Sequence, residues 1–210
     1  TRAPSHAETV VVASVPMKEL IRVKWISTPF DTPSPSPVAA PAATPSHGEL
    51  VFAVAEVYRH TRDRVFLEAM WPHVEGAVRY MDTLRASERT AENRAKNPAF
   101  FGLMPASISH EGYSAKPMHS YWDDFWALRG YKDAVAIARW LGRADDARRI
   151  AAARDEFAVD LQASLRAAMA QAGIDFLPGS AELGDFDATS TTIALAPGGE
   201  QANLPPAALQ

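Results

Sequence analysis

The chain has 210 residues, of which 47% are hydrophobic, 22% charged and 9% aromatic, a composition typical of a folded globular protein. A net charge of −4 argues against a nucleic-acid-binding surface. The absence of cysteine excludes disulfides, thiolate metal sites and cysteine nucleophiles, and the six histidines show no metal-ligand spacing.

No apolar run approaches the roughly 18 to 20 residues that a membrane-spanning helix needs, so we do not expect an integral membrane protein. Residue 1 is threonine, and the apolar stretch 9–15 is too short and too weakly flanked to predict a signal peptide. The sequence therefore leaves the localisation open. It predicts a chain that has been processed or is a piece of a longer one.

Residues 1–45 differ from the rest of the chain in composition. They hold 8 of the 16 prolines, and residues 32–45 read TPSPSPVAAPAATP. Such a stretch neither favours a helix nor offers much apolar surface to bury. We therefore predict a linker or disordered lead-in over residues 1–45.

Helical periodicity begins abruptly at residue 46. The sequence Ser46-His47-Gly48-Glu49 fits a capping box, and apolar residues at helical spacing continue to His60. Asp63 is a second N-cap candidate, followed by an apolar stripe over residues 65–84. Because Pro72 lacks an amide hydrogen, we expect the helix to break and restart there. These segments predict a first helical hairpin.

The second half of the chain predicts another hairpin after a long loop. Residues 88–119 lose periodicity and exceed the usual length of a connection. A helix is predicted from Ser120 to Leu141, with Gly142 as its left-handed C-terminal residue, and another over residues 144–172 that stops at Gly173. The short link between them predicts an antiparallel pair.

The densest chemistry lies at the start of the helix predicted from Ser120. The run there is His119-Ser120-Tyr121-Trp122-Asp123-Asp124-Phe125-Trp126-Ala127-Leu128-Arg129-Gly130. On a helix Trp122 and Trp126 share a face, with Asp123 one step away. Indole rings pack against the apolar faces of sugar rings, and carboxylates accept hydrogen bonds from sugar hydroxyls. The pattern is therefore typical of a carbohydrate site.

The same residues also fit a purely structural interpretation. Asp123 follows Ser120 by three positions, so the two would complete a capping box. Asp124 in the first turn would complement the helix dipole, and the tryptophans would belong to an ordinary core. The residue pattern alone leaves both alternatives open.

A resemblance to a known family favours the carbohydrate site. The pattern Tyr121-Trp122-Asp123-x-Phe125-Trp126-x-x-Arg129-Gly130 looks like the Y-W-D-x-Y-W-x-x-R-G signature of trehalases, members of the six-hairpin, (α/α)6-barrel glycosidases. Residues 58–80 and the sequence Gly102-Leu103-Met104-Pro105 are also similar to that superfamily. The resemblance covers residues 46–195 and is absent over residues 1–45.

The resemblance implies roles for individual residues. In trehalase-like enzymes the Trp-Asp pair lines the subsite of the sugar ring that is cleaved, and this is carried over to Trp122 and Asp123. The other candidate substrate-binding residues are Tyr121, Asp124, Trp126, Arg129 and His110. Asp124 stands where the trehalase pattern has serine, so its role is open. His110 and Glu111 lie on the loop expected to face the barrel mouth.

Glycoside hydrolysis needs two carboxyl groups, roughly 6.5–9.5 Å apart in an inverting enzyme. The segment Glu182–Ser190 resembles the trehalase segment E-S-G-W-D-F-S-S that carries the general acid, which makes Asp187 one catalytic candidate and leaves Glu111 as the other. The segment departs from the family by one extra residue between Gly184 and Asp187. Without the resemblance it reads as an Asp/Thr/Ser-rich turn.

These observations predict an all-α protein that forms part of an (α/α)6 toroid, with about two of its six hairpins plus long loops. Residues 46–195 would form the partial glycosidase-like domain, ending in a short helical turn near residues 190–195, and residues 196–210 a tail. The implied activity is hydrolysis of a glycosidic bond by water, without metal or organic cofactor. The expected partners are a carbohydrate and the missing remainder of the barrel, with no nucleic acid and no membrane.

Two alternatives remain beside the hydrolase. One is a non-catalytic sugar-binding relative, and the other is a helical-hairpin scaffold that binds proteins. The predicted hairpins begin at Ser46 and Ser120, which are 74 positions apart, whereas tetratricopeptide repeats recur about every 34 residues. This spacing disfavours the scaffold.

Overall fold

The computed structural model describes residues 45–109 and 116–209. Its helices are α1 (Pro45–Thr61), α2 (Arg64–Glu88), α3 (Ala91–Lys96), α4 (Tyr121–Trp140), α5 (Ala144–Ala172) and α6 (Ala188–Leu195), followed by a 3₁₀ turn at Pro206–Leu209. These two ranges contain helices and isolated β-bridges but no β-strand, so the all-α prediction is confirmed for them. The predicted lead-in lies outside the described residues except for Pro45, which begins α1.

The first helix starts earlier than the sequence indicated. α1 begins at Pro45 and places Ser46 in its first turn, so the interpretation of Ser46 as an N-cap is wrong. Ser46, assigned to the cap from the sequence, is therefore a residue of the helix itself.

α2 runs without a break through Pro72, so the predicted interruption is wrong. A proline inside a helix removes a hydrogen bond and costs about 3 kcal/mol. Leu67, Trp71 and Val74, on both sides of the proline, are at most 4% exposed. Burying each such side chain contributes about 1.5–3 kcal/mol, which offsets the cost of keeping the helix continuous.

The predicted helix ends are largely confirmed. The Asp63 side chain caps α2 by accepting a hydrogen bond from the Phe66 amide at 3.0 Å. Gly142 and Gly173, after α4 and α5, have left-handed φ angles of 75° and 67°. None of the helices in the described ranges is long and apolar enough to cross a membrane.

The connection between the hairpins is partly helical, in contrast to the predicted loop. Ala91–Lys96 form α3, and the Thr90 hydroxyl caps it by accepting from the Asn93 amide at 3.0 Å. A helix of six residues is too short to show a period, which is why the sequence did not reveal it. We name the irregular residues 97–109 and 116–119 the α4 loop; residues 110–115 lie outside the described ranges.

α4 is the central helix of the described structure. It packs against α1, α2, α5 and α6. α1 lies beside it. Phe52 contacts Trp126 and, further along both helices, Tyr58 contacts Trp140, with ring centroids 5.4 and 5.0 Å apart. This order of contacts shows that α1 and α4 run in the same general direction. The first helices of the two hairpins are therefore side by side.

Two irregular segments meet the N-terminal end of α4. In the α4 loop, Ser107 and Met118 exchange backbone hydrogen bonds of 2.9 Å. Residues 177–187, which we name the C-terminal segment, approach from elsewhere in the chain, and the Tyr121 amide donates to the Gly179 carbonyl at 3.0 Å. These contacts bring residues that are distant in sequence to the Trp-Asp motif.

α1 and α4 approach each other most closely at two glycines. A Cβ atom on Gly130 would lie 2.6 Å from the Cα of Gly48, and one on Gly48 would lie 2.1 Å from the Trp126 carbonyl oxygen. Both obstacles are backbone atoms, which cannot rotate away as a side chain can. Glycine is therefore required at this crossing.

The change Gly130→Ala should destabilise the protein by about 1–3 kcal/mol, the usual cost of overpacking a core. In a chain of this size each kcal/mol lowers the unfolding temperature by about 2–4 °C, which thermal unfolding followed by circular dichroism will measure. The matched control is Gly76→Ala in α2, where a Cβ meets nothing within 4 Å and alanine should stabilise the helix by up to about 1 kcal/mol. A Gly130→Ala protein as stable as wild type would contradict the close crossing.

Candidate functional site

Two adjacent carboxyl groups lie in the first turn of α4, and both Asp123 and Asp124 are 0% exposed. The Asp123 carboxylate accepts hydrogen bonds from the Ser107 hydroxyl at 2.5 Å and from the Ser109 hydroxyl at 3.0 Å. Each serine binds a different carboxylate oxygen. The α4 loop therefore holds the orientation of Asp123.

The loop makes a tight turn at this point. Ser109 has a φ angle of 46°, in the left-handed region that non-glycine residues seldom occupy. Its amide donates to the Ser107 hydroxyl at 2.9 Å, and its own hydroxyl lies 3.0 Å from the Ser120 hydroxyl. Ser120 is the N-cap residue of α4, but its side chain makes no capping hydrogen bond. The capping-box interpretation of Ser120 and Asp123 is thus replaced by a network of hydroxyl groups around Asp123.

Asp124 faces a different environment from Asp123. One of its oxygens accepts from the Met104 amide at 2.8 Å, and the other is buried without a hydrogen-bond partner. Burial raises the pKa of Asp124 well above its usual range, and the charge of Asp123 adds to this, while the Met104 amide and the positive charges of His119 and Arg85 oppose it. Asp124 therefore favours its protonated form.

The three aromatic candidates for substrate binding are not equivalent. Tyr121 is 0% exposed, and its hydroxyl lies 2.8 Å from the Ser164 hydroxyl of α5, so it belongs to the core. Trp122 and Trp126 are partly exposed, with their rings edge to face and centroids 6.0 Å apart. Of the three, only Trp122 and Trp126 keep exposed surface, and they flank Asp123 along α4.

Arg129 is held by other parts of the protein. Its guanidinium forms an ion pair with Asp133, at 2.7 and 3.0 Å, and donates to the Pro197 carbonyl at 2.8 Å. Asp133 also pairs with Arg59 of α1. The structure thus places Arg129 in an ionic network that joins α1, α4 and the chain after α6.

Asp187, the candidate acid, is the N-cap of α6. Its carboxylate accepts from the Thr189 and Ser190 amides at 2.9 and 3.3 Å and also binds the Ser190 hydroxyl. A Cβ atom on Gly179 would lie 2.6 Å from the Cβ of Asp187, so the cap packs against the residue that binds the Tyr121 amide. His110 and Glu111, the remaining candidates, lie outside the described residues.

Sequence reasoning missed four contributors to this site: the Met104 amide, Ser107, Ser109 and His119. Serines in a loop carry no periodic signal, and a backbone amide carries none at all. His119 stands directly before the N-cap of α4, and its contacts come from segments far away in the chain. The sequence indicated that this loop lies near the site only through the family resemblance, at Gly102–Pro105 and in the expectation that His110 and Glu111 face the barrel mouth.

Within residues 45–109 and 116–209, no group of three or more His, Asp or Glu side chains is arranged to hold a metal ion. No protein-family model, curated protein or solved structure matches the chain. The described ranges therefore define two helical hairpins, with a buried carboxyl pair and two partly exposed tryptophans in the first turns of α4.

The change Asp124→Asn should stabilise the protein at pH 7. Because the pKa of Asp124 is raised in the folded state, the wild type loses stability as the pH rises above the ordinary carboxyl pKa, and asparagine removes that loss. Urea unfolding at pH 7 and pH 4 should show a gain that shrinks as the pH falls. The control is Asp145→Asn, whose side chain is 93% exposed. The opposite result would be a stability difference between Asp124→Asn and wild type that is less favourable to the variant at pH 7 than at pH 4. It would show that the folded protein needs the ionised form of Asp124.

The change Asp187→Ala should destabilise the protein by about 0.5–2 kcal/mol, because α6 loses its N-cap. Asp187→Asn should cost little, since asparagine caps a helix as well as aspartate does. Thermal unfolding of the two variants compares them directly. Equal losses for alanine and asparagine would mean that the charge of Asp187, and not its capping geometry, stabilises this region.

Proposed function

We propose that the chain is a segment of a glycoside hydrolase of the six-hairpin, (α/α)6 type, which cleaves a glycosidic bond with water. One observation carries the proposal: Trp122 and Trp126 are partly exposed, lie edge to face, and flank Asp123 in the first turns of α4, where two serines orient its buried carboxylate. A sugar ring offers an apolar face to the indoles and hydroxyl groups to the carboxylate. These residues belong to the trehalase-like motif of the sequence.

The direction of the helices supports the toroid. A ring of hairpins repeats one unit about an axis, so equivalent helices of neighbouring hairpins run in the same direction. α1 and α4, the first helices of the two hairpins, do so. Under the proposal, the other four of the six hairpins belong to the remainder of the same enzyme, which is the protein partner of this segment.

The proposed roles follow from the contacts of each residue. Trp122 and Trp126 stack on the sugar, and Asp123 accepts a hydroxyl hydrogen in place of one of its two serine donors. Tyr121 and Arg129 support the site from the core and from the ionic network. Water is the nucleophile, and the reaction as proposed uses no cofactor. Glu111 and Asp187 remain the candidate carboxyl groups, with a further one placed in the rest of the barrel.

A second candidate function is sugar binding without catalysis. Asp187, the described catalytic candidate, already has partners within the chain, because its carboxylate caps α6. Such engagement favours a binding role over a free acid or base. The two candidates share the same sugar surface, and they differ in whether the completed barrel releases product.

The test of the shared sugar surface is a tryptophan-fluorescence titration of the folded chain with glucose, trehalose and a panel of other sugars. Wild type should give a saturable change. Asp123→Asn should weaken binding about tenfold or more, because a hydrogen bond to a charged group is worth about 1.5–3 kcal/mol. The control Asp145→Asn removes an exposed carboxylate on α5 and should bind like wild type.

Circular dichroism will show whether the chain is cooperatively folded. If it is, the absence of a saturable fluorescence change would contradict the proposed sugar site. Equal binding by wild type and Asp123→Asn would remove Asp123 from it. Hydrolysis of the bound sugar by a barrel-complete protein, lost in Asp187→Asn, would decide for the enzyme over the binding relative.

A further inference from the structure

A buried histidine lies between two glutamates at the N-terminal end of α4. His119 is 7% exposed, and its Nδ1 lies 2.7 Å from Oε1 of Glu182. Its Nε2 lies 3.6 Å from Oε2 of Glu88, an ion-pair distance that is too long for a hydrogen bond. The ring stacks on Phe100, with centroids 4.3 Å apart. We name Glu88, His119 and Glu182 the histidine bridge.

The histidine bridge joins three segments of the chain. Glu88 is the last residue of α2, His119 stands directly before the N-cap of α4, and Glu182 belongs to the C-terminal segment. The His119 amide also donates to both carboxylate oxygens of Glu182, at 3.1 and 3.0 Å, and its carbonyl accepts from the Ala181 amide at 3.0 Å. Asn93 of α3 orients Glu88 through a 2.7 Å hydrogen bond.

Two carboxylates flank the ring, and this geometry favours a positive charge on it. A neutral imidazole has one N–H, so it can donate toward only one of two flanking carboxylates, whereas an imidazolium donates from both nitrogens. Asp124 is the further acidic group whose charge interacts with His119. Without the proton on His119, the bridge would bring two carboxylates together around a neutral ring.

We infer that His119 is a positioning residue: as an imidazolium between Glu88 and Glu182, it holds the end of α2 and the C-terminal segment against the start of α4, and so sets the geometry beside Trp122 and Asp123. Its importance for sugar binding rests on the function proposed above. The bridge itself does not, because its contacts are independent of any ligand.

The pH range of the bridge follows from its charges. Burial by itself lowers the pKa of His119, but Glu182 and Glu88 more than reverse this and raise it to about 9. The contribution of His119 to stability is therefore complete below its unfolded pKa, near 6.5, and is lost as the pH rises through about 9. The interaction with His119 lowers the pKa of Glu88, so the contribution of Glu88 is lost in acid.

The histidine bridge is connected to the site by a few residues of the C-terminal segment. Glu182 lies two residues from Ser180, which pairs with Ser120 in an isolated β-bridge, and three residues from Gly179, which binds the Tyr121 amide. Release of Glu182 would leave this pairing without its charged anchor. We therefore expect the surroundings of Trp122 to change when His119 loses its proton.

The experiment compares wild type with His119→Gln, which keeps an N–H donor but cannot titrate. The imidazole of His119, followed by nuclear magnetic resonance, should titrate with a midpoint near 9. Urea unfolding at pH 7 should give wild type a folding equilibrium constant more than about ten times that of His119→Gln, since each unit of pKa shift is worth a factor of ten. That difference should vanish by pH 10.

The matched control is His60→Gln, because His60 also lies 3.6 Å from a glutamate, Glu56, but its side chain is 75% exposed. It should behave like wild type at both pH values. If His119→Gln does not fold, Glu182→Gln keeps the ring and removes one charge, and the midpoint of His119 should then move toward 6.5. A midpoint for His119 near 6.5 in wild type would overturn the inference.

The positioning role is read from the sugar-free protein. The emission of Trp122 is the difference between the emission of a protein and that of its Trp122→Phe variant. In wild type this emission should change with pH, with the same midpoint near 9, and in His119→Gln it should stay constant. A constant emission in wild type would overturn the positioning role, whatever the sugar titration gives. Failure to bind sugar at any pH, with the emission change present, would overturn only the proposed function.

Discussion

The close contact of α1 with α4 is the constraint on which the other arrangements depend. Gly48 and Gly130 let the two backbones approach until no side chain fits between them. This approach places Phe52 against Trp126 and Arg59 beside Asp133. α4 is covered by α1, α2, α5 and α6. Its first turn also contacts the α4 loop, through Asp123, and the C-terminal segment, through Tyr121.

Burial of acidic groups in that first turn has to be compensated. An uncompensated buried charge is costly, so each acid either finds donors or keeps its proton. Asp123 finds two serine hydroxyls, whereas Asp124 has one amide and a raised pKa. His119 supplies positive charge close by. Asp123, Asp124 and His119 therefore interact electrostatically at the start of α4. A change of charge at one of them will alter the electrostatic surroundings of the other two.

The sequence predicted what depends on local signals. Gly142 and Gly173 mark helix ends because their left-handed conformation is a property of single residues. The continuity of α2 through Pro72 was not predictable, since it depends on what the two halves of the helix bury. The serines that bind Asp123 are 14 and 16 positions away from it in an aperiodic loop. No local pattern connects them with the carboxylate.

The trehalase-like motif mixes residues of two kinds, which explains why the sequence alone could not separate a site from a core. Tyr121 binds α5, Arg129 pairs with Asp133, and Gly130 admits α1. These residues build the fold around α4 and would be required in any protein packed in this way. Phe125 is buried as well, and Trp126 packs on Phe52 of α1. Trp122, Asp123 and Trp126 are the members of the motif to which the proposal assigns a sugar contact. The functional proposal therefore rests on those three side chains, and an experiment that changes the others tests the fold instead.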